Sequence, residues 1–154
     1  MSKLNGLDLF SGIGGITKAL EEWVQPVAYC EIDKYATAVL LSKMQTGELP
    51  TAPIWDNVCT LPTNELPKID IIYGGFPCQD ISVAGAGKGL EGSRSGLFFE
   101  IMRLVDVLRP QFIFLENVPA ITSRGLITVA KEITKRSYDS VSYTHLTLPT
   151  KRIV

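Results

Sequence analysis

The sequence predicts a doubly wound α/β fold with a mostly parallel sheet, and three observations carry that reading. Short apolar runs alternate with stretches of helical spacing, a glycine turn follows the first run, and the second run ends in an acid. The first run, residues 4–9, stops at Ser11-Gly12-Ile13-Gly14-Gly15, after which Ile16, Ala19, Leu20 and Trp23 fall at helical spacing. A second strand is expected from Pro26 to Glu31, and Asp33 then caps a helix running to about Met44. Pro50, Pro53, Pro62 and Pro67 break the next stretch into loops around one short strand near Ile54 and Trp55. Ile69 to Tyr73 reads as a buried strand stopped by Gly74-Gly75. Between Ser82 and Gly96 lie five glycines and almost no apolar period, which predicts a loop of lid-like length. Leu97 to Leu108 reads as helix, Phe112 to Leu115 as the last clear strand, and Gly125 to Arg136 as a final helix. Strands alternating with helices imply a parallel sheet covered on both faces, a Rossmann-like arrangement.

Composition narrows the class. A length of 154 residues fits one domain, and equally a domain of a larger enzyme. The chain is 45% hydrophobic and 20% charged, and no apolar run approaches the roughly 18 residues of a membrane span, so a soluble protein is expected. The N-terminal MSKLNGLDLF lacks a secretory pattern, which predicts a cytoplasmic location. Cys30, Cys59 and Cys78 are far apart with no CxxC pair, so free thiols are expected, with no disulfide framework and no metal site. Charge is uneven: residues 1–100 sum to −5 and 101–154 to +4, for a net −1. That balance supplies no basic face for gripping DNA unaided. The stretch 141–154, VSYTHLTLPTKRIV, resembles translated cloning or adapter sequence, so it is expected to be a non-native or disordered tail and its His145 receives no role. The alternative is a sixth strand with Leu146 and Leu148 facing inward.

Two constellations carry chemistry. In the first, glycines between strand and helix let backbone approach a ligand closely, while Glu31, 19 residues after Gly12, suits the two ribose hydroxyls of a nucleoside-type cofactor. In the second, Gly74-Gly75-Phe76-Pro77-Cys78-Gln79 follows a buried strand, which sets Cys78 just beyond a strand's carboxyl end, where doubly wound sheets place ligands. A thiolate is a strong nucleophile, Pro77 stiffens its approach, and Glu116-Asn117-Val118 ends the next strand toward the same crevice. Cys30 and Cys59 read as inert thiols.

Taken in order, F-S-G-x-G-G at 10–15, a strand ending in Glu31, G-G-F-P-C-Q at 74–79, G-x-x-x-S-R-S-G-L-F-F-E at 89–100 and E-N-V at 116–118 resemble the successive motifs of the cytosine-C5 DNA methyltransferase family. The resemblance implies a class I S-adenosylmethionine-dependent methyltransferase domain over 1–140, with S-adenosyl-L-methionine as donor and S-adenosyl-L-homocysteine as product. It implies donor contacts from Phe10, Ser11, Gly12, Gly14 and Gly15, with Glu31 on the ribose, Ile32 against the adenine and Leu97 lining the pocket. The family usually places an acid before a branched residue at the adenine amino group; here that position is Asn57 before Val58, with Asp56 adjacent. The resemblance further implies Cys78 as nucleophile toward cytosine C6 and Glu116 as the group that neutralises N3, with Pro77 and Asn117 completing the catalytic set. Gln79, Ser82 and Arg94 fall in the segment that closes over a base flipped from duplex DNA.

Relatives of this family run to about twice this length, with a further arginine motif, a target-recognition region and a returning C-terminal segment. None is visible after residue 140, so the recognition domain is expected to be absent, and a complementing C-terminal fragment is the implied partner besides DNA. A cytoplasmic enzyme of bacterial or phage type, as in restriction-modification, fits these features. Other readings remain open: an inactive cofactor-binding fragment or half of a split enzyme, a transfer-RNA cytosine methyltransferase, and an NAD or FAD oxidoreductase sharing the glycine turn and acid.

Overall fold

The computed structural model describes residues 2–77, 96–117 and 125–143. Their strands form one parallel sheet: β1 (Leu4–Leu9), β2 (Val24–Cys30), β3 (Ile54–Trp55), β4 (Ile71–Gly75) and β5 (Phe112–Glu116), in the order β3-β2-β1-β4-β5. The helices are α1 (Gly15–Ala19), α2 (Lys34–Gln45), α3 (Leu97–Leu108) and α4 (Leu126–Thr134), with single 3-10 turns at Val58–Thr60 and Thr63–Glu65. This is the doubly wound α/β arrangement expected, and its order reverses beside β1, so β1 and β4 flank the crevice where such sheets bind ligands.

Side-chain alternation sorts the two faces. Leu7, Leu9, Ala28, Cys30 and Ile72 point to the face covered by α3 and α4, where Phe98, Ile101, Met102, Leu104, Val105 and Val129 close the main core. Tyr29 packs with Leu40, Met44 and Leu49 of the α2 region, and Val24, Ile71 and Tyr73 pack with Ile16 and Leu20 near α1. Arg136 joins α4 to α3 through two bonds to Asp106, at 2.8 and 2.9 Å.

The boundaries of α1, β2 and β4 differ from the expectation for physical reasons, and β5 and α4 by one or two residues, β5 reaching Glu116 and α4 spanning Leu126–Thr134. Helix α1 ends at Ala19, because the amides of Trp23 and Val24 turn back onto the Leu20 carbonyl and start β2 two residues before Pro26. Trp23, in register with the helix pattern, is left 61% exposed. Strand β2 closes at Cys30, which puts Glu31 just past its end, and Pro26 is accommodated where the β1–β2 register shifts, a place that tolerates the missing donor. Gly74 and Gly75 do not stop β4: they are its last two residues, paired with Leu115 and Glu116 of β5. A side chain on Gly74 would run into the Leu9 carbonyl, so glycine there marks a close strand approach and not a break. The Asp33 cap is as expected, its carboxylate accepting from the Ala36 amide at 2.8 Å, and α3 has the predicted bounds. Val141 to Tyr143 are exposed, and residues 144–154, including His145, lie outside the described residues.

Candidate functional site at the carboxyl edge of the sheet

Because every strand is parallel, all carboxyl ends lie on one edge, and both sequence constellations arrive there. The turn after β1 is tightly made. Phe10 adopts a left-handed φ of 55°, rare for a bulky residue, and Gly12 and Gly14 follow at 53° and 83°. The Ser11 amide donates to the Cys30 carbonyl at 3.1 Å and its hydroxyl donates to the Asp8 carbonyl at 3.0 Å, so Ser11 binds the turn to the ends of β1 and β2. Glu31 then braces the turn from the other side: Oε2 accepts from the Gly12 amide and Oε1 from the Asp33 amide, both at 2.7 Å. The 19-residue spacing from Gly12 to Glu31 is thus a direct contact.

Space for a ligand surrounds these groups. A Cβ placed on Gly12 or Gly15 would meet nothing within 4 Å, and Ile32 stands 74% exposed beside Glu31. A groove of about 370 Å³ is lined by Glu31, Asp56, Thr37, Leu41, Ala52, Pro53 and Ile54, an apolar slot with acids. A carboxylate has lone pairs for more than two donors, so Glu31 can accept ribose hydroxyls beyond the two amides. Among the described residues neither Glu31 nor Asp56 forms an ion pair. These features fit a nucleoside that carries positive charge. Asn57 is committed locally, its side-chain Oδ1 accepting from the Cys59 amide at 2.9 Å to cap a 3-10 turn. Leu97 opens α3 half-buried against the main core.

The second constellation forms across β4 and β5. Gly75 pairs with Glu116, and a Cβ added to Gly75 would lie 2.8 Å from Glu116 Oε2, so this carboxyl sits over the end of β4. One residue on, Asn117 donates its side-chain amide to the Phe76 carbonyl at 2.8 Å. Phe76 is buried against Phe98, ring centroids 5.5 Å apart, which anchors the chain just before the exposed Pro77. Cys78, Gln79, Ser82 and Arg94 lie outside the described residues. Cys30 is buried, and burial, with the Glu31 charge next, pushes its thiol up to about 12, which keeps it inert; Cys59 is exposed and unbridged. No cluster of potential metal ligands occurs among the described residues.

One group escaped the sequence reading. Asp8, 1% exposed in the middle strand, accepts from the Thr17 hydroxyl at 2.5 Å, and that hydroxyl lies 2.7 Å from the Tyr73 hydroxyl. Burial pushes the Asp8 carboxyl up to about 7, with the Glu31 charge adding to the rise and the Thr17 bond opposing it. A lone acid between two core leucines was the available signal.

Comparison with known proteins places this geometry among others. The model of the family described as C-5 cytosine-specific DNA methylase matches residues 4–145. The type II methyltransferase M.HhaI of Haemophilus parahaemolyticus is 35% identical over 144 residues, 93% of this chain and 42% of its own length. The type II methyltransferase M2.BsuMI of Bacillus subtilis is 40% identical over 118 residues, 73% of this chain and 28% of its own. Among solved structures, a candidate DNA modification methyltransferase encoded within an E. coli prophage superposes with a TM-score of 0.64 at 29% identity, over 86% of this chain and 37% of its own. The chain therefore spans less than half the length of these relatives.

Proposed function

The chain belongs to the C-5 cytosine-specific DNA methylase family, and from that premise we propose that it is the donor-binding, cysteine-bearing part of an enzyme that methylates cytosine C5 in DNA. The observation that carries the reading is the junction of β4 and β5, where Asn117 holds the Phe76 carbonyl and Glu116 overlies Gly75, two residues from Pro77 and three from Cys78. Bound S-adenosyl-L-methionine supplies an electrophilic methyl on a cationic sulfur. The turn from Phe10 to Gly15 and Glu31 would hold its amino-acid and ribose ends, with Ile32 facing the adenine, Asn57 or its neighbour Asp56 at the adenine edge, and Leu97 on the pocket wall.

Cytosine C5 is a poor nucleophile on its own. Addition of the Cys78 thiolate to C6 breaks the C5–C6 π bond and makes C5 enamine-like, while the Glu116 carboxyl donates a proton to N3 and so neutralises the charge that addition develops. Once C5 carries the methyl, a base such as water takes the C5 proton, the C5–C6 double bond re-forms as the Cys78 thiolate leaves, and the N3 proton returns to Glu116. Asn117 and Pro77 fix the backbone that presents Cys78, and Gln79, Ser82 and Arg94 serve the flipped nucleotide.

The rest of the relatives' length bears on partners. Strand β5 ends the sheet among the described residues, and its Phe112 and Phe114 remain 47% and 43% exposed while Ile113 and Leu115 pack inward. That uncovered apolar strip supports a complementing C-terminal segment, which would also bring the recognition surface that a net charge of −1 does not offer. No helix among the described residues is long and apolar enough to cross a membrane, and relatives from bacteria and bacteriophage support a cytoplasmic setting.

The test is covalent trapping. DNA carrying 5-fluorocytosine blocks the last step, since fluorine cannot leave as a cation, so the chain completed by a C-terminal half of a relative should become bonded to DNA at Cys78. Cys78→Ser should abolish the adduct, and Cys30→Ser and Cys59→Ser should leave it intact. Mass-spectrometric mapping of the bond to Cys30 or Cys59 would overturn the reading.

A further inference from the structure

We propose that Asp8 is a charge-sensing positioning residue of the donor site, whose buried carboxylate makes that site prefer a cationic sulfonium donor to the neutral thioether left after transfer. The inference rests on the reading of residues 10–15 and Glu31 as the donor site. Asp8 lies in β1 two residues before the turn, which is fastened to it through the bond from Ser11 to its carbonyl. Its Oδ2 accepts from Thr17 of α1, whose hydroxyl also meets Tyr73 of β4, so the carboxyl sits where three elements join beneath the turn. Its Oδ1 is buried and accepts no hydrogen bond of good geometry, although the Ser11 hydroxyl is close enough to ease its ionisation. An oxygen only partly satisfied in this way is costly to bury.

The surroundings hold no compensating cation. Facing Asp8 are Ser11 of the turn, Thr17 of α1, Tyr29 and Cys30 of β2, Glu31 beyond it and Tyr73 of β4, and none of the described residues pairs a Lys or Arg with it. Burial, then the Asp8 charge, holds the Tyr29 and Tyr73 hydroxyls high, and burial, then the Glu31 charge, does so for the Cys30 thiol, so all three stay uncharged when Asp8 ionises at about 7. A cation bound at the turn stabilises ionised Asp8, so a proton leaves as the donor binds. The thioether product exerts no such pull. Donor and product share the same amino-acid and adenosine parts, so their affinity ratio isolates the charge on sulfur.

The sign follows from linkage: the donor favours the deprotonated form, so the ratio of donor to product affinity rises as pH passes from 6 to 8, by about fivefold where the bound sulfonium lowers the pKa of a carboxyl ionising at about 7 by about one. Calorimetric titration of the 154-residue chain with S-adenosyl-L-methionine and S-adenosyl-L-homocysteine, in two buffers of different protonation enthalpy, reads both quantities. At pH 7 the donor should release about half a proton more than the product. Asp8→Asn should flatten the ratio while both ligands still bind, and Asp8→Glu should keep its slope. If Asp8→Asn does not fold, the difference in proton release by the parent chain still decides, and Thr17→Val, which removes the bond that stabilises the carboxylate, should move the rise to higher pH. Both ligands binding with a ratio independent of pH overturns this inference alone; failure of either to bind at any pH overturns the donor-site reading and this one with it.

Discussion

Replacing Glu31 with alanine separates the bracing of the turn from the ribose binding proposed for the same carboxylate. In the folded chain its oxygens accept from the Gly12 and Asp33 amides at 2.7 Å each, so removing it leaves two donors without their charged acceptor. A hydrogen bond to a charged group contributes about 1.5–3 kcal/mol when water is excluded, but Glu31 is half-buried and water can reach both amides. The stability cost should therefore stay near about 1–2 kcal/mol in all, a loss of several degrees in melting temperature for a domain of this size. The binding cost is separate, because under the proposed reading the ribose hydroxyls lose their acceptor: about 1–3 kcal/mol, or roughly 5- to 150-fold in the dissociation constant for S-adenosyl-L-homocysteine. Glu31→Gln keeps one acceptor oxygen and presents an NH2 group where the other stood, so it should weaken binding nearly as much while preserving shape. Thermal unfolding reads the first job and calorimetric titration the second. An Ala variant that melts earlier but binds the product within twofold of the parent would show that Glu31 only braces the turn, and the cofactor assignment would fail with it.

The other expectations test the sheet and the reaction. Gly74→Ala drives a methyl into the Leu9 carbonyl between β1 and β4, which can only part the strands, so a loss of about 3 kcal/mol or more is expected; a urea midpoint equal to the parent's would contradict the register. Asp8 holds a proton more tightly folded, at about 7, than its reference of 3.8, so its ionisation erodes stability as pH rises from about 4 to 7, at most on the order of 4 kcal/mol. Asp8→Asn should therefore gain on the parent across that window, and identical midpoint-against-pH curves would refute the burial argument. Glu116→Gln should slow covalent trapping by roughly 100-fold or more, since a neutral amide cannot deliver the N3 proton, with the melting temperature little changed; trapping at the parent rate would remove Glu116 from the reaction.

Local chemistry was legible in the sequence where it acts over one or two turns of chain, and less so where it depends on register. The Asp33 cap and the bounds of α3 follow from neighbouring residues, and the structure has them as read. The contact from Gly12 to Glu31 could also be anticipated, because a β-α-β unit fixes the ends of adjacent parallel strands side by side. Gly74 and Gly75 read in the sequence as a strand stop, because a glycine pair looks the same whether it ends a strand or lets two strands close up; only pairing with Leu9, Leu115 and Glu116 distinguishes the cases. Trp23 kept helical spacing yet lies outside α1, since the early start of β2 claims the chain first.

Side-chain hydrogen bonding explains what remained hidden in the site. Ser11 and Asn57 both came forward as donor contacts, yet each spends polar atoms on backbone: Ser11 on the Asp8 carbonyl, Asn57 on the Cys59 amide. A short polar side chain serves a ligand only with the capacity its own fold leaves over, and that remainder is set by partners the motif does not contain. The reverse holds for Asp8, which no motif reading singled out. Its surroundings bond one oxygen well and the other poorly, and burial, with no cation in reach to offset it, lifts its ionisation into the neutral range. The motif residues thus mark where the crevice is, while the strands beneath decide which of them has charge or hydrogen-bonding capacity left to act on what enters it.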